Sequence, residues 1–205
     1  MTKRGQATLF IIIGIVVVVF VVLYFVAVKQ EIIPPFLGKA DAATELAAID
    51  EQITDCLADL GSQYVTVLGA QGGYIAPAPD TYRLYNDSQV SYLCWNQEGV
   101  STCTNRLLTV ARMEEQLEDT IDDALQTCVN VYDLSDDVEA AEEWVLDVEI
   151  QQSSVDLTLD YPVTVQKGDD VASEDTFKES LAVPLGELYD VSQDIVNDHA
   201  VVGDF

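Results

Sequence analysis

Twenty consecutive residues, Leu9 to Val28, carry no charge, and nearly all of them are Ile, Val, Leu or Phe. At helical rise such a run spans about 30 Å, the thickness of a bilayer's hydrocarbon core. The apolar region of a secretory leader is shorter, about 7–15 residues, and ends at small residues. No Ala-x-Ala site follows this one. The run therefore reads as an N-terminal transmembrane helix that stays, rather than as a leader that is removed or a helix of a buried core.

Flanking charge sets the orientation. Lys3 and Arg4 precede the run, whereas Lys29 is followed at once by Glu31. The excess of basic residues on the first side places residues 1–8 in the cytoplasm as a basic leader, 9–28 in the membrane, and the remainder outside the cell. The lipid bilayer, met through residues 9–28, is thus the first expected partner. Pro34 and Pro35 cannot continue a helix and Gly38 loosens the chain beyond them, so 29–41 reads as a linker.

Cysteine use and charge fit an external location. Cys56, Cys94, Cys103 and Cys128 form an even set without the C-x-x-C spacing of a zinc or thioredoxin-type site. In an oxidising compartment they are expected to form two disulfides. All 36 acidic residues follow residue 30, against six basic ones, a balance of −30. Such a field opposes compaction at ordinary salt and excludes nucleic acid and anionic lipid as partners. The acids are dispersed rather than gathered in a tail. In multimolar salt the Debye length falls to about 3 Å and the repulsion is screened. The composition points to a halophilic source, with an acidic mesophilic protein as the alternative.

The period of the hydrophobic pattern divides the rest of the chain. Leu46, Ile49, Ile53, Cys56, Leu57, Leu60, Tyr64, Val67 and Leu68 share one helical face, ended by Gly69 or by Gly72-Gly73. "IAPAPDTY" reads as a turn region, and "QVSYLCW" and "VSTC" as strands around "NQEG". A second helix is expected from about Asn105 to Asn130, capped by Thr104, with Leu107, Val110, Ala111, Leu117, Ile121, Leu125 and Cys128 as its stripe. Cys94 and Cys103 then flank the hairpin, and Cys56 and Cys128 each lie on an apolar helix face. Of three connectivities, Cys56–Cys128 with Cys94–Cys103 is favoured.

After "DLSDD" the period changes from 3.6 to 2. Trp144, Leu146, Val148 and Ile150 alternate with Val145, Asp147 and Glu149; Val155, Leu157, Leu159, Tyr161, Val163 and Val165 alternate with Ser, Asp, Thr and Pro; and Phe177, Leu181, Val183 and Leu185 share one parity. "QQSS" and the "KGDDVASED" loop join these as a meander. Pro162 resists that arrangement, because a central strand loses a ladder bond there; a bulge or another strand order is required. "LGELYDVSQDIVNDHAVV" returns to helical spacing, with Leu188, Val191, Ile195, His199 and Val202 on one face. No cap closes it, which allows a shortened form of a larger protein. The expected fold is α+β: one N-terminal transmembrane helix, then an ectodomain over 42–205 of two long helices, a short hairpin, a three-stranded antiparallel sheet and a C-terminal helix.

Few residues suggest chemistry, and neither a catalytic residue, a cofactor nor a metal site is expected. His199 is the single histidine and has no nucleophile placed beside it. "SDD" at Ser135–Asp137 and "GDD" at Gly168–Asp170 are loop carboxylate pairs that could hold Ca²⁺, without an EF-hand pattern. Glu114 interrupts the second helix's apolar stripe. It either reaches solvent or pairs, buried, with Arg83, Arg106 or Arg112. Asn86 begins an N-x-S glycosylation triplet.

"KRGQ" directly before the apolar run resembles the class III leader of archaellins and type IV pilin-like proteins. That resemblance implies cleavage between Gly5 and Gln6. It departs from the family in having Phe10 where a glutamate stands at the fifth position after the cut, and in Pro34-Pro35, where a pilin stem runs on. "GQATLFIIIGI", "CLADLG", "LGAQGGYI" and "MEEQLEDTI" together are similar to uncharacterised single-span surface proteins of small-genome archaea, some of them haloarchaeal associates. The function expected on these grounds is a non-enzymatic, membrane-anchored extracellular structural or interaction protein of a halophilic archaeon. It would self-associate or contact an envelope or cell-surface protein. The alternatives are a pilin-like filament subunit processed after Gly5, and a membrane-tethered hydrolase or cation-binding protein.

Overall fold

The computed structural model of the chain describes residues 41–202 apart from 97, 100, 101 and 134. Its first element is a long helix, α1 (Ala42–Ala70), opened by Asp41, whose carboxylate accepts from the Thr44 amide. Ile49, Ile53, Cys56, Leu57, Gly61, Val65 and Leu68 recur at three- and four-residue intervals and are buried. Gly61 lets the helix approach the sheet closely. A β-carbon there would lie 2.9 Å from Leu181 Cδ1 and 3.1 Å from Leu157 Cδ1. The helix stops where Gly72 and Gly73 adopt φ of 74° and 88°, with the Gly73 amide returning to the Leu68 carbonyl at 2.8 Å.

Two small hairpins come next: β1 (Tyr82–Tyr85) with β2 (Ser88–Ser91), and β3 (Cys94–Asn96) with β4 (Cys103–Asn105). Asn86 and Asp87 turn the first with φ of 46° and 65°. This is the pair of left-handed residues that a two-residue hairpin loop favours. A second helix, α2 (Val110–Cys128), buries Met113, Leu117, Ile121 and Leu125.

The main sheet is built on β7 (Val155–Lys167). β8 (Asp170–Leu181) pairs along one side of it, and two shorter strands share the other side. β6 (Val145–Ile150) pairs with Val155 to Asp160, and β5 (Val138–Ala140) with Val163 to Val165. Pro162 falls in the gap between them. The β7–β8 register also shifts between Asp160 and Val163, and the Pro162 carbonyl takes the Ala141 amide at 2.9 Å. A bulge at a strand break thus reconciles proline with a central strand. The odd residues of β7 from Val155 to Val165 are buried without exception. They face α1, which packs on β7 and β8, and α2, which packs on α1 and β6.

The opposite sheet face is polar. Thr176 donates to Asp160 at 2.9 Å and Ser180 to Asp156 at 2.5 Å, each pair in register across β7 and β8. Glu149 stands directly opposite Asp156. Like charges at that spacing repel, and screening salt relieves them. The last helix, α3 (Leu185–Val202), packs against β3 and β4. Its first turn is tied to the β6–β7 connection, with the Gly186 and Glu187 amides on the Gln151 and Gln152 carbonyls.

Several expectations are corrected. The described residues hold three helices, two two-stranded hairpins and a four-stranded sheet, rather than one hairpin and a three-stranded meander. The expected transmembrane helix over 9–28, with the leader and most of the linker, lies outside the described residues. No described helix is long and apolar enough to cross a membrane. α2 starts at Val110 with Thr109 at its N-cap, because residues 103–105 are drawn into β4. The "KGDDVASED" loop shrinks to the Gly168-Asp169 turn, and the bulge upstream hides the alternation of β8's first half. On α3 the expected inward face is the outward one: Leu188, Val191, Ile195 and His199 are exposed, while Leu185 and Val196 are buried.

Candidate functional site

Both disulfides join residues that the hairpins and helices bring together. Cys56–Cys128 links α1 to the end of α2 across a Cα separation of 6.2 Å, and Cys94–Cys103 closes the β3–β4 hairpin at 5.4 Å. No described cysteine is left as a thiol.

Glu114 does neither of the two things its place in the stripe suggests. Its carboxylate accepts from the Ile150 amide at 2.9 Å, and Glu118, one turn on, accepts from the Val148 amide at 3.2 Å. Asp122, a further turn on, accepts from the Trp144 indole at 2.7 Å. α2 therefore runs along the free edge of β6 and satisfies amides that no strand pairs. Among the described residues Glu114 meets none of Arg83, Arg106 and Arg112; Arg112 pairs with Glu115 instead. A signal for this arrangement is present in the sequence. Glu118 and Asp122 each follow a stripe residue (Leu117, Ile121) by one position, as Glu114 follows Met113, which the structure buries.

One of the loop carboxylates is taken up by the fold, and the Ser135 loop is closed by its own hydroxyl. Asp170 accepts from the Ala42 amide at 2.9 Å, and the Ser135 hydroxyl accepts from the Asp137 amide at 3.0 Å. Among the described residues no group of three or more His, Cys, Asp or Glu is placed to hold a metal ion. Lys167 forms an ion pair with Glu45 beside them. The hydrogen bond from Lys167 holds the Glu45 carboxyl below its usual value, and the same bond raises the Lys167 ammonium. Thr44 likewise lowers Asp41. Asp41, Glu45 and Asp170 thus gather negative charge at the N-terminus of α1, where the helix dipole favours it.

The opposite end of α1, about 40 Å away by helical rise, has a different character. Gln71 takes the Gln89 amide on its side chain and the Ser91 amide on its carbonyl, and Tyr74 donates to the Arg106 carbonyl at 2.7 Å. These polar clips hold the two hairpins against the helix end. Leu84, Tyr85, Tyr92 and Trp95 remain exposed there, Tyr92 edge-on to Trp95 at 6.0 Å, with Arg106 over the indole at 5.8 Å. α3 adds Leu188, Val191 and Ile195 to the same end. Asn86 is exposed at the tip of the first hairpin and His199 on α3; Gly5 and Gln6 lie outside the described residues.

A separate open cleft of about 520 Å³ lies beside the Cys56–Cys128 bridge, with Trp144, Tyr161 and Tyr132 among its walls and Glu142 as its carboxylate. Trp144 and Tyr161 meet edge-on at 5.3 Å. Burial, and then the neighbouring Tyr132, push the Tyr161 phenol up. Among the described residues no cation lines this cleft, so the lining disfavours an anionic ligand.

No protein-family model, curated protein or solved structure matches the chain. Its fold and surface define a two-layer α+β domain: two helices over one face of an antiparallel sheet, a polar sheet face left bare, and apolar side chains displayed at one end.

Proposed function

We propose that this chain is a surface interaction protein of a salt-adapted cell. The apolar segment 9–28 would hold it at a lipid bilayer, with its acidic, disulfide-stapled domain outside the cytoplasm. The domain acts by contact, through the end that displays Leu84, Tyr85, Tyr92 and Trp95, with an envelope component or another cell as the partner. One observation carries the reading: Leu84, Tyr85, Tyr92 and Trp95, all large and apolar, are exposed on the two hairpins clipped to the end of α1. Tyr92 and Trp95 meet edge-on while exposed, an aromatic patch of the kind that marks interaction sites. The two disulfides support an oxidising compartment.

The second reading, a pilin-like subunit, is favoured by "KRGQ" alone. One experiment separates the two. The native protein is followed through shearing, pelleting and detergent extraction, and its first residue is determined in each fraction. An interaction protein stays with membranes until detergent is added and is not enriched in the sheared filament fraction. Recovery in sheared filaments with Gln6 as first residue overturns the proposal in favour of the pilin reading.

A further inference from the structure

The display end also specifies the kind of partner, on α3. At about 100° per residue, Leu185, Tyr189, Ser192 and Val196 form the row turned to the domain. Leu188, Val191 and Ile195, spaced by three and four, form a second row about a quarter-turn away. Their side chains are 56%, 59% and 53% exposed, so the row is uncovered rather than grazed by solvent. Glu187, Asp190, Asp194 and Asp198 run beyond it on the solvent side, and the described helix has neither lysine nor arginine.

Leu188 also lines a groove between α3, the end of α1 and the start of α2, with Leu93, Leu107 and Met113 among its walls. The Gly72-Gly73 turn keeps it open, since a β-carbon at Gly73 would lie 3.0 Å from Met113 Sδ. Its volume, about 90 Å³, suits one aliphatic side chain and is well below that of a metabolite pocket.

An exposed apolar row of this spacing, continuous with a side-chain-sized hole and bordered by carboxylates, is complementary to an amphipathic helix with basic edges. We propose that α3 docks such a helix from a second protein. One aliphatic side chain would enter the groove, and Lys or Arg would face Glu187, Asp190, Asp194 and Asp198. This rests on the interaction reading above and names the partner's chemistry. A second copy of the chain is the poorer occupant, because it would set the same row of carboxylates in direct contact with Glu187, Asp190, Asp194 and Asp198, where salt screens least. Apolar contact, which salt does not screen, supplies the affinity. At direct contact, within the roughly 3 Å screening length of concentrated salt, the carboxylates reject acidic competitors.

The test uses the full chain in nanodiscs of zwitterionic lipid, with empty discs as the blank. Two labelled synthetic helices carry the same leucine row, one edged with lysine and the other with glutamate. Fluorescence anisotropy should show the lysine-edged helix binding, and the glutamate-edged one about tenfold weaker or worse. Val191→Asp and Ile195→Asp should each weaken the first about tenfold or more while leaving the melting curve unchanged, since both positions are exposed. Absence of binding, equal binding of both helices, or binding unaffected by either variant overturns the proposal. So does a wild-type dimer that Ile195→Asp converts to monomer. Photo-cross-linkers at Tyr85 and at Ile195 on intact cells separate the two levels of argument. An envelope adduct from position 85 alone leaves the interaction reading standing and removes this one; adducts from neither position remove both.

Discussion

The helix-covered sheet and the hairpin end are held by different forces. In the first, every odd residue of β7 from Val155 to Val165 is buried, and carboxylates from α2 satisfy the amides of the β6 edge. In the second, a nine-residue disulfide loop and side-chain clips from Gln71 and Tyr74 do the holding, while large apolar side chains face water. Apolar burial assembles the body. At the display end, polar and covalent ties free the apolar groups from that task, so they remain available for a partner.

The largest effect that tests this contrast is removal of the bridges. Cys56→Ser with Cys128→Ser opens a closure of 72 residues and should cost about 4 kcal/mol in the chain-entropy account, against about 2.5 kcal/mol for the pair separated by 9. Denaturant melts of the two double variants measure it, and an equal loss in both would show that loop length does not set what each bridge contributes to its region. Next, Leu157→Ala should destabilise by about 2–5 kcal/mol, because Leu157 is wholly buried beneath Gly61. Leu84→Ala should stay within about 0.5 kcal/mol, being exposed. Similar losses at the two positions would mean that the hairpin end is packed as the body is.

A smaller effect sharpens the account of the β6 edge. Glu114→Ala leaves the Ile150 amide without its acceptor and should cost about 1–3 kcal/mol, whereas Glu114→Gln, whose amide oxygen still accepts, should cost much less. If the two variants melt together, the carboxylate is not serving as an acceptor for the sheet edge.

The smallest effect is at the N-terminus of α1. Glu45 has a lowered folded value, so its contribution is present at neutral pH and is lost as pH falls through that value, below the usual 4.5. Lys167 has a raised value, so its contribution is complete below the usual 10.5 and is lost as pH rises through the folded one. Comparing pH–stability curves of wild type and Lys167→Met checks both limbs. The variant should lose the alkaline decline and part of the acid one, and unchanged limbs would show that the pair contributes nothing.

Much of the body is legible in the chain because its signals are local. The stripe of Ile49, Ile53, Cys56 and Leu57 and the alternation from Val155 to Val165 each need only neighbouring residues and a period. The first hairpin escapes a reading by period although Asn86-Asp87 marks its turn, since the strands beside it carry no clean alternation. The first half of β8 is hidden because the bulge opposite Pro162 shifts its parity. Glu114 is legible as an anomaly, but its partner is not, because an amide 36 residues away is offered only once β6 becomes an edge.

The amino-acid sequence alone determined the period of each long element, the even cysteine set and the acidic balance of the chain after residue 30, all of which are local or additive properties. Tertiary structure alone decided that β5 and β6 share one side of β7, that α2's carboxylates meet the sheet edge, and that α3 turns Leu185 and Val196 inward while displaying Leu188, Val191 and Ile195. The physical reason is the same in each case. A period says which residues share a face, but which face is covered depends on what other segments bring to it, and of α3's two apolar rows the described residues cover the one through Leu185 and Val196.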